Sequence, residues 1–258
     1  MAPDDVFASA RMAAGYAADR PAVHPLVLAL AHQRGWLPSQ NDRALDIGCG
    51  AGTSTLALAP WCDDRIALDP SPSMVAAVPL VDPGAGRAVA AVEALPLAAA
   101  TVDLVTAAGS LDFADLTRAV PELGRVLRPG GTVVVYDFRT GDRLATGPDL
   151  GPWFGEFLAR WPRRPRVRPA FEPARVGALG AAAGLRVAAE LRFELPVALT
   201  RTRYVGYLLT ESNIEAAVAE GHDLSAIRSW CEETLPWRAG GAVSDVVFGG
   251  YLCVLRHP

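Results

Sequence analysis

The sequence contains no lysine: all 24 of its basic residues are arginine. With the heavy use of Ala, Pro and Gly, this is the mark of GC-rich coding sequence and carries no chemistry. A basic excess is missing too. The formal net charge is −4, which argues against a nucleic-acid partner. Cysteine is scarce and scattered: Cys49, Cys62, Cys231 and Cys253 form no CxxC pair. The four histidines, His24, His32, His222 and His257, are equally dispersed. Neither a metal site nor a disulfide framework is therefore expected, and the cysteines read as reduced, buried thiols. No apolar run approaches the roughly 20 residues that a membrane span needs. No basic region followed by an apolar one leads the chain, so neither a secretion signal nor a membrane partner is expected. A cytoplasmic location follows as the expectation.

What is present is apolar material, 51% of 258 residues. That is enough for one α/β domain, spanning 1–258, with modest insertions. Residues 1–40 read as a helical cover, with an Ala-rich helix over Val6–Ala18 and an amphipathic one over Pro21–Arg34. Arg43-Ala-Leu-Asp-Ile47 is a short apolar run stopping at a glycine cluster, as a buried parallel strand does. A helix follows from Thr53, a second strand at Arg65–Asp69 and a helix from Pro72, where proline is tolerated. Further strands are expected at Arg87–Val92, Thr101–Ala107 and Thr132–Phe138, with a helix at Asp115–Leu127. Such alternation predicts βαβ units on a parallel sheet. After residue 138 the rhythm breaks. A helix over Glu172–Ala183 and two long strands, Leu185–Val197 and Val243–Leu255, flank helical pieces at Arg203–Glu220 and Leu224–Glu233. The stretches 141–171 and 198–240 are expected to form a lid. Within the first, Arg163–Arg168 is a basic run suited to an acidic substrate or carrier protein, or to a solvated Pro-stiffened loop.

The chemistry-bearing feature is Asp46-Ile-Gly-Cys-Gly-Ala-Gly52. A strand, a Gly-rich turn and a helix together bind nucleotides at the helix N-terminus. The spacing is GxGxG, whereas the dinucleotide fingerprint is GxGxxG. Asp46 precedes the first glycine by two residues, where a carboxylate would sit badly against a pyrophosphate. It suits a ligand that carries an ammonium group, as S-adenosylmethionine (SAM) does. Asp69, ending the second strand, can accept the two hydroxyls of an adenosine ribose, although NAD-binding folds place an acid similarly.

From about Tyr16 to Asp137 the chain resembles the class I SAM-dependent methyltransferases, specifically the small-molecule type 11 group. Leu45-Asp-Ile-Gly-Cys-Gly-Ala-Gly-Thr53 is similar to the family's first motif, and Ala67-Leu-Asp-Pro-Ser71 to its acidic second-strand end. Ala91-Val-Glu-Ala-Leu-Pro-Leu97 resembles the loop that covers the adenine. Thr101-Val-Asp-Leu-Val105 resembles the fourth strand. Arg125-Val-Leu-Arg-Pro-Gly-Gly131 resembles the structural turn before the fifth. The resemblance implies a Rossmann-like fold: a seven-stranded, mostly parallel sheet with helices on both faces, the last strand antiparallel, and a helical lid.

It also implies residue roles. Asp46 and the Gly48 backbone would hold the methionine ammonium and tail, with Cys49, Gly50 and Thr53 completing the turn. Asp69 would take the ribose, with Pro70 and Met74 against the adenine. Val92 and Glu93 would bind the adenine edge, although Ala91 stands where relatives often carry an acid. Tyr16, Arg20 and Pro21 resemble a YxxxRP element whose arginine pairs with the cofactor carboxylate; otherwise Arg20 is a helix C-terminal cation. Ala108 ends the fourth strand beside the cofactor. Asp112 and Phe113 stand where many relatives carry His-Trp. Asp112 is thus the candidate for orienting or deprotonating an acceptor, or else a helix cap. Ser110, Trp153, Phe154, Tyr204 and Tyr207 are the candidate substrate contacts.

The expected activity is transfer of a methyl group from SAM to an O, N or C nucleophile of a small-molecule metabolite, in a natural-product setting. S-adenosylhomocysteine (SAH) would be the product, the enzyme a monomer or homodimer, and no metal is called for. Because an obvious general base is missing, a second expectation stands: non-methylating chemistry, such as a cyclase using SAM as a bound cation. An NAD(P) oxidoreductase is opposed by the GxGxG spacing and by the Glu93 loop.

Overall fold

A computed structural model of the chain describes Phe7 and residues 9–38, 41–163, 172–237 and 243–258. The apolar β-branched runs form the strands: β1 Arg43–Ile47, β2 Asp64–Asp69, β3 Gly86–Val89, β4 Val102–Ala108 and β5 Leu127–Phe138. These five lie parallel in the order β3-β2-β1-β4-β5. Continuing past β5, the chain adds a two-residue strand, β6 Arg143–Leu144, then β7 Arg186–Leu199 and β8 Ser244–Arg256. β8 runs antiparallel to β5, β6 and β7. Among the described residues it is therefore the one reversed strand of a seven-stranded sheet, as the resemblance implied, with β6 as a short eighth strand on the β5 side.

Helices follow the capping chemistry. α1 (Ala10–Asp19) begins where Ser9 accepts the Met12 N–H at 3.1 Å, and α4 (Pro72–Val81) where Ser71 accepts that of Met74 at 3.3 Å. Such caps contribute about 1 kcal/mol each. α5 (Leu116–Val126) starts at Asp115, whose carboxylate accepts the Thr117 N–H at 3.0 Å. α2 spans Val23–Gln33, α3 is a single turn at Thr53–Leu56, and α7 spans Pro173–Ala182. On one sheet face Leu45, Ile47, Val105 and Val133 pack against Val120 and Leu123 of α5 and Val176 of α7. On the other, Ala44, Leu104, Val134 and Tyr136 meet Val23, Val27 and Leu28 of α2.

Four more helices, α6 Gly151–Arg160, α8 Arg201–Leu208, α9 Ser212–Ala219 and α10 Leu224–Thr234, gather around that second face. The helical material expected over Arg203–Glu220 forms two helices, α8 and α9. They break at Leu209–Glu211, where Thr210 turns its hydroxyl back onto the Tyr207 carbonyl at 2.7 Å. No helix among the described residues is long and apolar enough to cross a membrane.

Candidate functional site

The glycine turn stands at the carboxyl end of β1, where open parallel sheets place their ligands. Gly48, Gly50 and Gly52 all have positive φ, at +63°, +53° and +93°. Each thus occupies backbone space that side chains rarely enter. A Cβ on Gly48 would fall 2.2 Å from the Ser110 Cβ, and one on Gly50 3.4 Å from the Tyr16 ring. The turn is consequently pressed between the end of β4 on one side and α1 on the other.

Beside it opens a cleft of about 80 Å³, lined by Gly48, Pro70, Val92, Glu93 and Ser110 together with Ile47, Leu68, Ala90, Leu95, Phe113 and Ala114. Five residues singled out from the sequence thus meet in one place. Ser110, expected on the substrate side, lies here instead and donates to the Ile47 carbonyl at 2.7 Å. Glu93 accepts the Asp115 N–H at 2.7 Å, so its carboxylate is anchored to the start of α5. At the end of β2, Asp69 accepts the Gly50 N–H at 2.9 Å and the Ser71 N–H at 2.8 Å. Burial pushes its carboxyl above the usual range, against the lowering effect of those two N–H groups. Each of its oxygens retains capacity for another donor.

Asp46 departs from its expected role. It is fully buried. Its Oδ2 accepts from Ser54 Oγ at 2.6 Å and Thr55 Oγ1 at 2.7 Å, and its Oδ1 from Thr106 Oγ1 at 2.7 Å. The carboxylate therefore braces the underside of the turn against α3 and β4, with no surface left for direct contact with an ammonium group. Burial raises its pKa to about 6, although the three hydroxyls oppose the shift. Cys49 is likewise buried, and burial pushes its thiol far up; Thr53 simply opens α3. Met74 is buried with Met12, Ala13, Ala51 and Ala77 beneath α1, away from the cleft. Ala108 pairs in register with Tyr136, and Asp112 lies in a single 3-10 turn, Leu111–Phe113.

On the other side of the turn, α1 brings Tyr16 over Gly50. The Arg20 guanidinium lies 4.3 Å from the Tyr16 ring centre, 5.1 Å from that of Tyr207 and 6.0 Å from that of Phe138. Its Nη1 donates to Thr210 Oγ1 at 3.4 Å and lies 3.6 Å from Glu211 Oε1. Arg20 is the residue after the last turn of α1, but its charge is directed into this box and not onto the helix end. Asp137, at the end of β5, sets its Oδ1 2.9 Å from where a Gly109 Cβ would stand. Neither Glu211 nor Asp137 stood out in the sequence. Behind them, His24 Nδ1 and the Tyr136 hydroxyl are 2.9 Å apart, both buried. Burial, helped by nearby Arg20, lowers the His24 pKa to about 3.

The lid aromatics, expected to line an acceptor pocket, are spent on one another. Trp153 stacks on Phe157 and Trp230, with centroids 5.3 and 5.2 Å apart, and meets Phe154 edge-on. Its Nε1 donates to Thr234 Oγ1 at 2.8 Å. Tyr204 is buried and donates to the Gly141 carbonyl. Tyr207 alone among the substrate candidates borders the Arg20 box. In the arginine run, Arg163 donates to Thr140 Oγ1 at 2.9 Å, while the rest falls outside the described residues. Among the described residues no group of three or more His, Cys, Asp or Glu side chains could hold a metal.

Residues 45–135 match a family described as "Methyltransferase domain". The chain is 34% identical over 119 residues to the uncharacterized methyltransferase Rv3342 of Mycobacterium tuberculosis, covering 46% of this chain and 49% of that protein. It is 35% identical over 153 residues to a demethylmenaquinone methyltransferase of Mycolicibacterium gilvum, covering 48% and 63%. The chain thus spans about half the length of the first of these curated relatives and less than two thirds of the second. Among solved structures it is similar to geranyl diphosphate C-methyltransferase of Streptomyces coelicolor, crystallised with SAH (TM-score 0.51, 15% identity, 90% of this chain and 76% of that one). It is also similar to the [4+2]-cyclase SpnF (TM-score 0.52, 21% identity, 91% and 80%). Those two likenesses are of fold alone. Residues 45–135, which hold the motifs along β1 to β5, are thus similar to a methyltransferase domain, on a fold shared with a SAH-bound methyltransferase.

Proposed function

We propose that this chain binds SAM across the glycine turn and methylates an O, N or C nucleophile of a small molecule. The observation that carries this reading is the convergence of Gly48, Pro70, Val92, Glu93 and Ser110 on one cleft, with Asp69 beside it and Arg20 across the turn. The residues fit the group. The cleft offers apolar walls and a backbone edge at Val92–Glu93 for adenine. Asp69 has acceptor capacity for a ribose diol. The Arg20 hydrogen bond and ion pair both use Nη1, and a guanidinium can present two parallel donors to a carboxylate.

SAM supplies a methyl group on a sulfonium that leaves readily. The chain has then to orient the acceptor and exclude water, and orientation of this kind lowers barriers by roughly 7–11 kcal/mol. α1, with Tyr16 and Arg20, closes over the turn, and α6, α8, α9 and α10 gather around the second sheet face. Asp112 is our candidate for taking the proton from an acceptor hydroxyl or amine.

Incubation with SAM and pooled metabolite fractions, read by mass spectrometry, tests the proposal. Release of SAH with a product heavier by one methylene is expected. A transformed product without SAH would instead favour non-methylating chemistry on this fold.

A further inference from the structure

The lid grips α1 through paired charges. Arg11 donates Nη1 to the Leu209 carbonyl at 3.2 Å and forms an ion pair with Glu215. Nine residues along α1, Arg20 holds Thr210 and faces Glu211. The two segments pack closely between these pairs: a Cβ on Gly15 would fall 2.8 Å from Thr210 Cγ2, and one on Gly206 2.6 Å from Asp19 Cγ. Glu211 occupies the N-cap position of α9, yet its side chain makes no capping bond. Its Oε2 accepts from Thr140 Oγ1 at 2.8 Å, which holds Oε1 towards Arg20.

The Arg20–Glu211 pair is largely shielded, with side chains 16% and 17% exposed. Its separation of 3.6 Å is too long for an aligned hydrogen bond. Three aromatic rings and Thr210 already fix the guanidinium's orientation. Glu211 therefore acts on Arg20 through its charge and not as a geometric clamp.

We propose that Glu211 is the internal counter-ion of Arg20, and that the carboxylate of the cofactor competes with it for the guanidinium. Cofactor binding then weakens one of the two charge pairs that join the lid to α1 among the described residues, so cofactor occupancy and lid mobility are coupled. The proposal rests on the reading that Arg20 receives the cofactor carboxylate.

Calorimetric titration with two probes tests it. SAH carries the amino-acid carboxylate; 5′-methylthioadenosine keeps the nucleoside and thioether and lacks that carboxylate. Glu211→Gln is expected to bind SAH roughly fivefold more tightly, with 5′-methylthioadenosine unchanged. Glu211→Asp, too short to reach the same position, shifts SAH in the same direction and serves if the Gln variant fails to fold. In an Arg20→Gln background the Glu211→Gln effect vanishes. An unchanged or weakened SAH affinity, or an equal shift for both probes, overturns the competition. If wild-type protein binds neither probe, the cofactor reading fails with it, a result distinct from the others.

Discussion

Replacing Asp46 by Asn removes a buried charge while preserving the shape of the network beneath the glycine turn. In the folded protein the Asp46 pKa is raised from an ordinary 3.8 to about 6. The unfolded chain thus ionises this group more readily than the folded one. Between those two values the folded state binds the extra proton, so the Asp46 contribution to stability falls as pH rises and is flat above about pH 6.5. At about 1.4 kcal/mol per pH unit, a shift of about two units makes ionised Asp46 cost about 3 kcal/mol at neutral pH. An Asn carries no such cost, and its amide can hydrogen-bond with Ser54, Thr55 and Thr106 after their hydroxyls rotate. Urea unfolding of both proteins from pH 4.5 to 7.5 measures the difference. The advantage of Asp46→Asn should grow with pH up to about 6.5 and then level off. Subtraction cancels the contribution of His24, which both proteins share. A difference that is flat with pH, or that favours wild type increasingly as pH rises, would show that the three hydroxyls outweigh desolvation and would refute the reasoning.

Three further outcomes are expected. Gly48→Ala should destabilise by roughly 2–4 kcal/mol in thermal melts, combining a left-handed backbone with the 2.2 Å approach to Ser110 Cβ; Ser110→Gly should recover part of the loss. His24 is depressed to about 3, so its neutral form is kept on folding, and stability is lost as pH falls below its ordinary value of about 6.5. His24→Gln should flatten that acid-side loss, by about 1.4 kcal/mol per pH unit, in denaturation series from pH 6.5 to 4.5. Asp69→Asn should weaken SAH binding about tenfold in calorimetry, as expected when one charge-assisted acceptor is removed. It should leave the secondary structure seen by circular dichroism intact.

The sheet was legible because alternating βα periodicity and the turns at Gly48–Gly52 and Gly130–Gly131 are local signals. Pro70, Val92 and Glu93 came from the family resemblance, and the structure sets all three along one cleft. Asp46 misled because its residue type and place suggest a ligand contact, whereas its burial depends on Ser54 and Thr55 in the next helix and on Thr106 in the neighbouring strand. The lid rings misled for a related reason. Composition gives Trp153 an apolar surface but does not say whether it faces a cleft or Trp230. Glu211 was invisible from the sequence, since its link to Arg20 crosses from one end of the chain to the other, like that of Thr210, 190 positions away. The break between α8 and α9 that presents both residues has no Gly or Pro to announce it.

The central claim, that the glycine-turn cleft takes an adenosyl amino acid and not a dinucleotide, is tested most directly by parallel calorimetric titrations of purified protein with SAH and NADH. Saturable binding of SAH at one site per chain, with no heat from NADH, is the predicted result. Saturable NADH binding with none for SAH would contradict it.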